Sequence, residues 1–358
     1  MNRIEEVLAI LRTVRFPGLD RDIVELGYVT SVEPQGERMR IRLEVTTSRP
    51  EAVQAIESEV RAKLAQARIP FDLDLGAEAH AHGAQAQTPK VEDLAPGIRH
   101  KIVVASGKGG VGKSTVAVNL ALAIASRGHH VGLLDADIHG PSVPTMLGVA
   151  DRRPTSSEGK LAPIPAHGIR AMSLGFLVEG LDPIIWRGPL ASRAMEQLLS
   201  DVDWTGVDHL VLDLPPGTGD IQISIAQKAN PSGVVIVTTP QDVALIDAIR
   251  GVRMFRKVNI PVLGVVENMG LFVCPHCHQS SEIFPRGALA KEIERLGVEV
   301  LGRVPIDPAV AAGGDEGVPI VRRAPDSSAA RAFQEIAERV LRRVHEGGRD
   351  AQGKDAGA

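Results

Sequence analysis

Lys101-Ile102-Val103-Val104-Ala105-Ser106-Gly107-Lys108-Gly109-Gly110-Val111-Gly112-Lys113-Ser114-Thr115 is the stretch on which the reading of this chain turns. A short β-branched run ends in a glycine-rich turn, and Val116 to Ala123 follows as an apolar helix. From Gly107 to Ser114 the residues fit G-x-x-x-x-G-K-[ST]. Glycines let backbone N–H groups converge on phosphate oxygens, and the helix that follows offers its positive end. Lys113 supplies a point charge to the outer phosphates, and the Ser114 hydroxyl is placed to ligate Mg²⁺. A chance glycine cluster lacks the strand before and the helix after. The stretch from Gly107 through Lys108, Gly109, Gly110, Val111, Gly112, Lys113 and Ser114 to Thr115 therefore reads as a nucleotide-binding loop.

Outward from the loop, strands alternate with helices from residue 98 to about 347. The strand candidates are Lys101–Ala105, Val131–Leu134, Ile169–Ser173, His209–Leu212, Gly233–Thr238, Val262–Glu267 and Glu299–Val304. Helical stretches lie between most of them, as at Val243–Lys257, and a last amphipathic helix covers about Ser327 to Val344. This predicts an α/β fold, a doubly wound, mostly parallel sheet with ligands at the carboxyl ends of its strands. Residues 1–78 read as a small α+β domain. Ile4, Val7, Leu8 and Leu11 mark one helix face, Arg40 to Val45 alternates as a strand, and a second helix follows Pro50. Residues 79–97, rich in Ala, His, Gln and Pro, read as a flexible linker in which His80 and His82 are solvated. Residues 348–358 read as a disordered polar tail.

Composition narrows the function. Of 358 residues 44% are hydrophobic and 23% charged, as expected of a globular protein. With 3% aromatics there is no stacking platform for single-stranded nucleic acid, and a net charge of −4 without a basic block argues against nucleic acid as partner. No apolar run reaches membrane-spanning length, and the first residues, Met1-Asn2-Arg3-Ile4-Glu5-Glu6, are acidic where a secretion signal is basic and then apolar. A cytoplasmic protein without a membrane partner is expected.

Two further strands end in carboxylates. Leu133-Leu134-Asp135-Ala136-Asp137 puts Asp137 forward to orient the attacking water and Asp135 to support the Mg²⁺ shell, against the alternative of two aspartates that only cap a turn. Leu210-Val211-Leu212-Asp213 is an apolar strand closing in the aspartate that holds Mg²⁺ through water, and Pro215-Pro216-Gly217-Thr218-Gly219 follows as a switch loop. The only cysteines form Cys274-Pro275-His276-Cys277. Thiolates are soft ligands for zinc or iron–sulfur clusters, and a closed site needs four. Two chains each giving Cys274 and Cys277 to one [4Fe–4S] cluster satisfy that count, while a redox dithiol and a zinc knuckle stay open. Arg187 reads either as a contact to phosphate or partner or as a solvated rim beside a core Trp186, and both stay outside the catalytic set.

Lys108, a second lysine inside the glycine run, makes the loop resemble the deviant Walker A loop of the MinD/ParA/nitrogenase-iron-protein class. With Ser173 to Leu177, Trp186 to Pro189, Asp213 to Asp220, Glu267 to Cys277 and Gly302 to Asp307, the chain resembles the Mrp/ApbC-type iron–sulfur cluster carrier ATPases. Phe16 to Val29 resembles the MIP18-like domain of assembly factors, without the cysteine that many such domains carry near Thr46 to Pro50. The resemblance implies a homodimer that binds ATP and Mg²⁺, hydrolyses ATP slowly, and hands a labile bridging [4Fe–4S] cluster to apo iron–sulfur proteins, working with cluster assembly factors. Lys108 would complete the partner's nucleotide site and Asn268 would contact adenine. The competing reading is a positioning ATPase of the MinD/ParA type.

Overall fold

The computed structural model describes residues 3–17, 22–25, 28–36, 38–43, 50–75, 93–137, 140, 142–157, 159–177, 188–274, 276–277, 279–284 and 290–355. The chain divides into two compact units, Met1–Thr88 and Pro89–Ala358. Trp186, Arg187, His80, His82 and the Thr46–Arg49 segment lie outside the described residues.

In the first unit, helix α1 (Arg3–Leu11) precedes strands β1 (Val29–Gln35) and β2 (Arg38–Leu43), helix α2 (Pro50–Gln66) and strand β3 (Phe71–Leu75). β1 and β2 form an antiparallel hairpin, and β3 pairs parallel to β2. The alternation holds through β2, where Met39, Ile41 and Leu43 are buried while Arg38, Arg40 and Arg42 face water; Glu44 and Val45 lie outside the described residues. Those arginines pair with Asp72 and Asp74 of β3. Val7 and Leu11 of α1 and Ile56, Val60 and Leu64 of α2 close the core over the sheet.

The second unit runs β4 (His100–Ala105), α3 (Lys113–Ala125), β5 (Val131–Asp135), α4 (Val143–Met146), β6 (Ser156–Ser157), β7 (Lys160–Leu161), β8 (Ile164–Ala166), β9 (Ile169–Ser173), α5 (Gly188–Ser200), β10 (His209–Asp213) and α6 (Asp220–Ala229). It continues through β11 (Gly233–Thr238), α7 (Asp242–Lys257), β12 (Val262–Val273), β13 (Ser280–Ser281), α8 (Ala290–Arg295), β14 (Val300–Ile306), α9 (Pro308–Asp315), α10 (Ile320–Arg323) and α11 (Ser328–Asp355). The main sheet has the order β13-β12-β11-β4-β10-β5-β9-β8, with β14 also on β12. It is doubly wound and parallel except for the edges β8 and β13. From β4 the chain steps outward to β5 and β9, then returns to β10 and crosses to β11 on the other side of β4. The strand order thus reverses beside β4, where such sheets bind ligands. β5, β10 and β11 are buried along their whole length, because helices cover both faces of a parallel sheet.

Three segments differ from the sequence reading. β12 does not stop at Glu267 but runs on to Val273, through a bulge where Met269 takes φ +57°. The added length is stabilised by pairing of Leu271 and Phe272 with β14 and of Phe272 and Val273 with β13. The end of the expected linker is anchored: Lys101 Nζ lies 2.5 Å from Asp93 Oδ2 and donates to the Ala95 carbonyl at 3.1 Å, and Ala95 and Ile98 join the core. A buried lysine needs these partners, and they come from the residues just upstream. Finally, α11 continues to Asp355 across residues expected to be a disordered tail. A helix already nucleated adds residues at little cost, which carries it through Gly347, Gly348 and Gly353 despite their low propensity.

Candidate nucleotide site and cysteine hairpin

β4, β5 and β10 end side by side. Asp213 stands in register with Val104 on one side and Asp135 on the other. The loop after β4 therefore opens onto two carboxylates.

Gly110 and Gly112 both take φ +80°, the left-handed conformation that side chains disfavour. A Cβ at Gly109 or Gly110 would meet nothing within 4 Å, so the loop is open on the side where phosphates bind. A Cβ at Gly112 would lie 2.1 Å from Asn268 Nδ2, and one at Gly107 would lie 2.7 Å from the Asp247 backbone carbonyl. The glycines thus serve two needs, an open cradle and close approach to neighbouring elements. Helix α3 begins at Gly112 with no side-chain cap, which leaves its first N–H groups to an anion.

Lys113 is buried, with Nζ 2.5 Å from Asp213 Oδ1, 3.3 Å from Ser114 Oγ and 3.9 Å from Asp137 Oδ2. Asp213 Oδ2 is buried and has no hydrogen-bond partner among the described residues. Asp135 Oδ1 accepts from the Asp137 N–H at 3.0 Å; its Oδ2 accepts from the Ser173 hydroxyl at 3.0 Å and the Val143 N–H at 3.3 Å. Burial, and then the neighbouring Asp213, push the Asp135 carboxyl up to about 7, and burial raises Asp213 as well. The two acids outnumber the one lysine between them. The orphaned Asp213 oxygen, the paired acids and the Ser114 hydroxyl fit a hydrated divalent cation beside a phosphate.

The raised Asp135 value makes a pH prediction. Its ordinary value is 3.8, so the folded chain holds this proton more tightly than the unfolded chain does. The stabilisation that this gives is full below about 4 and is lost as pH rises to about 7. Asp135→Asn, which cannot ionise, should gain melting temperature relative to the nucleotide-free parent as pH goes from 5 to 8. An equal offset at both pH values would refute the assignment.

Asn268 on β12 donates from Nδ2 to the Val111 carbonyl at 2.9 Å, which ties the loop to that strand. Lys108 is half-buried, and among the described residues its ammonium makes no ion pair. Thr115 accepts at its carbonyl from Asn119 Nδ2 at 2.9 Å, inside α3. Six residues beyond Asn268, Cys274 follows the end of β12, and its N–H donates to the Gln279 carbonyl at 3.0 Å to start a hairpin back through β13. Both cysteines are free; Cys274 is half-buried and Cys277 exposed. Backbone N–H groups of Cys277 and then His276 hold the Cys274 thiol below its ordinary value, which favours the thiolate that binds metal. The hairpin carries both thiols of the chain on one short turn.

Two side chains outside the expected set belong here. Ser173 closes β9 in register with Asp135 and is fully buried against it. Gln222, 2% exposed, donates from Nε2 to the Pro215 carbonyl and so holds the loop after Asp213. A serine at the end of a strand was visible in the sequence, but its neighbour across the sheet was not.

This fold and this site define a P-loop NTPase. Residues 97–341 match the family model of the NUBPL iron-transfer P-loop NTPases, and residues 4–70 match that of an iron–sulfur cluster assembly protein. The chain is 42% identical over 336 residues to the iron–sulfur cluster carrier protein of Helicobacter pylori, covering 93% of this chain and 91% of that one. With the carrier protein of Aquifex aeolicus it shares 45% over 335 residues, 92% of each. Among solved structures, a nucleotide-binding protein of Archaeoglobus fulgidus in complex with ADP is similar, with TM-score 0.56 and 36% identity over 63% of this chain and 90% of that one. The chain belongs to the NUBPL family of iron-transfer P-loop NTPases. No helix among the described residues is long and apolar enough to cross a membrane.

Proposed function

We propose that this chain is an ATP-hydrolysing carrier that holds an iron–sulfur cluster between two copies of itself and delivers it to apo iron–sulfur proteins. The observation that carries this reading is the free cysteine pair at the tip of a hairpin, in a chain whose nucleotide loop bears a second lysine. The cluster is cargo. One chain supplies two thiolates, and a [4Fe–4S] cluster takes four, so a two-fold dimer completes the shell. Exposure of Cys277 suits a labile ligand set that a client can reach.

In the nucleotide site, Gly107 to Thr115 cradle the phosphates of ATP, with Lys113 leaving Asp213 for the outer phosphates. Ser114, with Asp213 and Asp135 beside it, would hold Mg²⁺, which would supply the positive charge that offsets the acids and the phosphates. Asp137 orients the attacking water. Lys108 reaches the partner's nucleotide, and Asn268, already at the loop, serves the base. Residues 1–78 act as a docking module for clients or assembly factors, and the catalytic domain takes in Asp93 to Asp355. Free thiols of this kind fit the reducing cytoplasm; neither nucleic acid nor membrane is a partner.

The test is transfer. Protein reconstituted anaerobically with iron and sulfide should restore activity to an apo [4Fe–4S] enzyme, and should hydrolyse ATP slowly. Asp137→Ala should still bind ATP while turnover falls by about 10²–10⁴-fold. A wild-type hydrolysis rate in that variant removes Asp137 from its role. Failure of the loaded parent to activate any client overturns the carrier reading.

A further inference from the structure

At the amino-terminal edge of the main sheet, the opposite end from the phosphate loop, histidines far apart in sequence converge. His100 opens β4 and His209 opens β10, and the two are register partners in adjacent strands. His129 precedes β5, and α11 brings in His345. The ring centroids of His100 and His209 are 5.0 Å apart, those of His100 and His345 5.2 Å, and those of His209 and His345 6.3 Å. One nitrogen from each of these three rings lies within 4.8 Å of the others.

His209 is 2% exposed, and its two nitrogens are treated very differently. Nδ1 lies 2.8 Å from Asp208 Oδ1, while Nε2 is buried and has no hydrogen-bond partner among the described residues. A carboxylate on Nδ1 keeps the proton there and leaves the Nε2 lone pair free, the second-sphere arrangement found behind metal-binding histidines. An unpaired buried lone pair is costly in a purely structural cluster. Here it shares a small space with two further imidazoles. Asp208 also faces His129, whose Nδ1 is 3.8 Å from its Oδ2.

We infer that His100, His209 and His345 form a binding site for a first-row divalent metal ion of the zinc type, with Asp208 as the group that orients His209. Three imidazoles with one position open to water are a familiar tetrahedral donor set for such ions. A cleft of about 480 Å³ borders His100, lined also by Arg99, Ser232, Val344 and Glu346. Arg343 on the same cleft has its charge engaged by Glu299 at 2.6 Å. The bound ion would tie α11 to the start of β4 and β10. This site is independent of Cys274 and Cys277.

The experiment uses the full chain carrying Cys274→Ala and Cys277→Ala, so that no thiolate competes. Zinc is titrated against a chromophoric chelator, and Co²⁺ is followed by its visible absorption. One zinc per chain should bind in competition with the chelator, Co²⁺ should give the bands of a tetrahedral nitrogen site, and zinc should raise the melting temperature. Asp208→Asn should weaken binding by about 10–100-fold. His345→Ala removes an exposed ligand without disturbing the core, and should lose both the zinc and the cobalt bands while melting like the zinc-free parent. Zinc binding unchanged in His345→Ala, or no zinc held against the chelator, overturns the site.

Discussion

Cys274→Ala and Cys277→Ala should each emerge from anaerobic reconstitution colourless, with no iron or sulfide retained. The proposed dimer gives one cluster to two chains, so the parent should carry about two irons and two sulfides per chain. A single substitution acts on both sides of the two-fold axis and removes two of the four ligands at once. No half-stable state lies between. Cys274 is half-buried and Cys277 exposed, and neither belongs to the hydrophobic core, so the loss cannot be attributed to its collapse. The measurement is iron and sulfide per chain together with native mass. Four irons in a monomer, or stoichiometric zinc that is lost on removing Cys274 and Cys277 and comes without a chromophore, would end the bridging arrangement.

The second large effect is at Gly112. Gly112→Ala forces a side chain onto φ +80° and places its Cβ 2.1 Å from Asn268 Nδ2. Strain of this sort costs about 1–3 kcal/mol before the clash is counted. The bond from Asn268 to Val111 must break for the loop to keep its shape. Nucleotide affinity should therefore fall by about tenfold at the least, read by titration of a fluorescent ADP analogue. Lys113→Ala should abolish binding outright. It also leaves Asp213 buried without its cation, a truncation that costs about 3–5 kcal/mol in other buried pairs. Burial already raises the Asp213 carboxyl, so protonation softens that loss, and the variant should melt closer to its parent at low pH than at high pH. Unimpaired ADP binding by Gly112→Ala would mean that the loop shape is not what holds the phosphates.

How much of this was legible in the chain itself depends on distance along it. The glycine loop, the strands around it and the carboxylates at their ends follow local rules, namely turn chemistry, β-branched runs and helical periodicity. That is why β4, β5, β9, β10 and β11 fall within a residue or so of their expected places. β12 was read short because Met269 and Gly270 interrupt its pattern, and only β13 and β14, paired from afar, extend it. Asp93 looked like linker because its partner, Lys101, belongs to the strand. Ser173 and Gln222 carry no motif, and their roles exist only once the sheet brings Asp135 and Pro215 to them. The histidine cluster is the extreme case. His100, His129, His209 and His345 span most of the chain, and nothing local connects them.

β12 joins the glycine loop to the cysteine hairpin. Asn268 sits near its middle, pressed against the phosphate loop, and Cys274 comes directly after its end. Six residues of strand reach about 20 Å at most. There is no hinge between domains to cross on the way, only the bend at Met269. A pull on the thiols and a push on the loop therefore meet in a single backbone. Asn268 and Cys274 thus stand on one continuous strand that is bent once between them, at Met269.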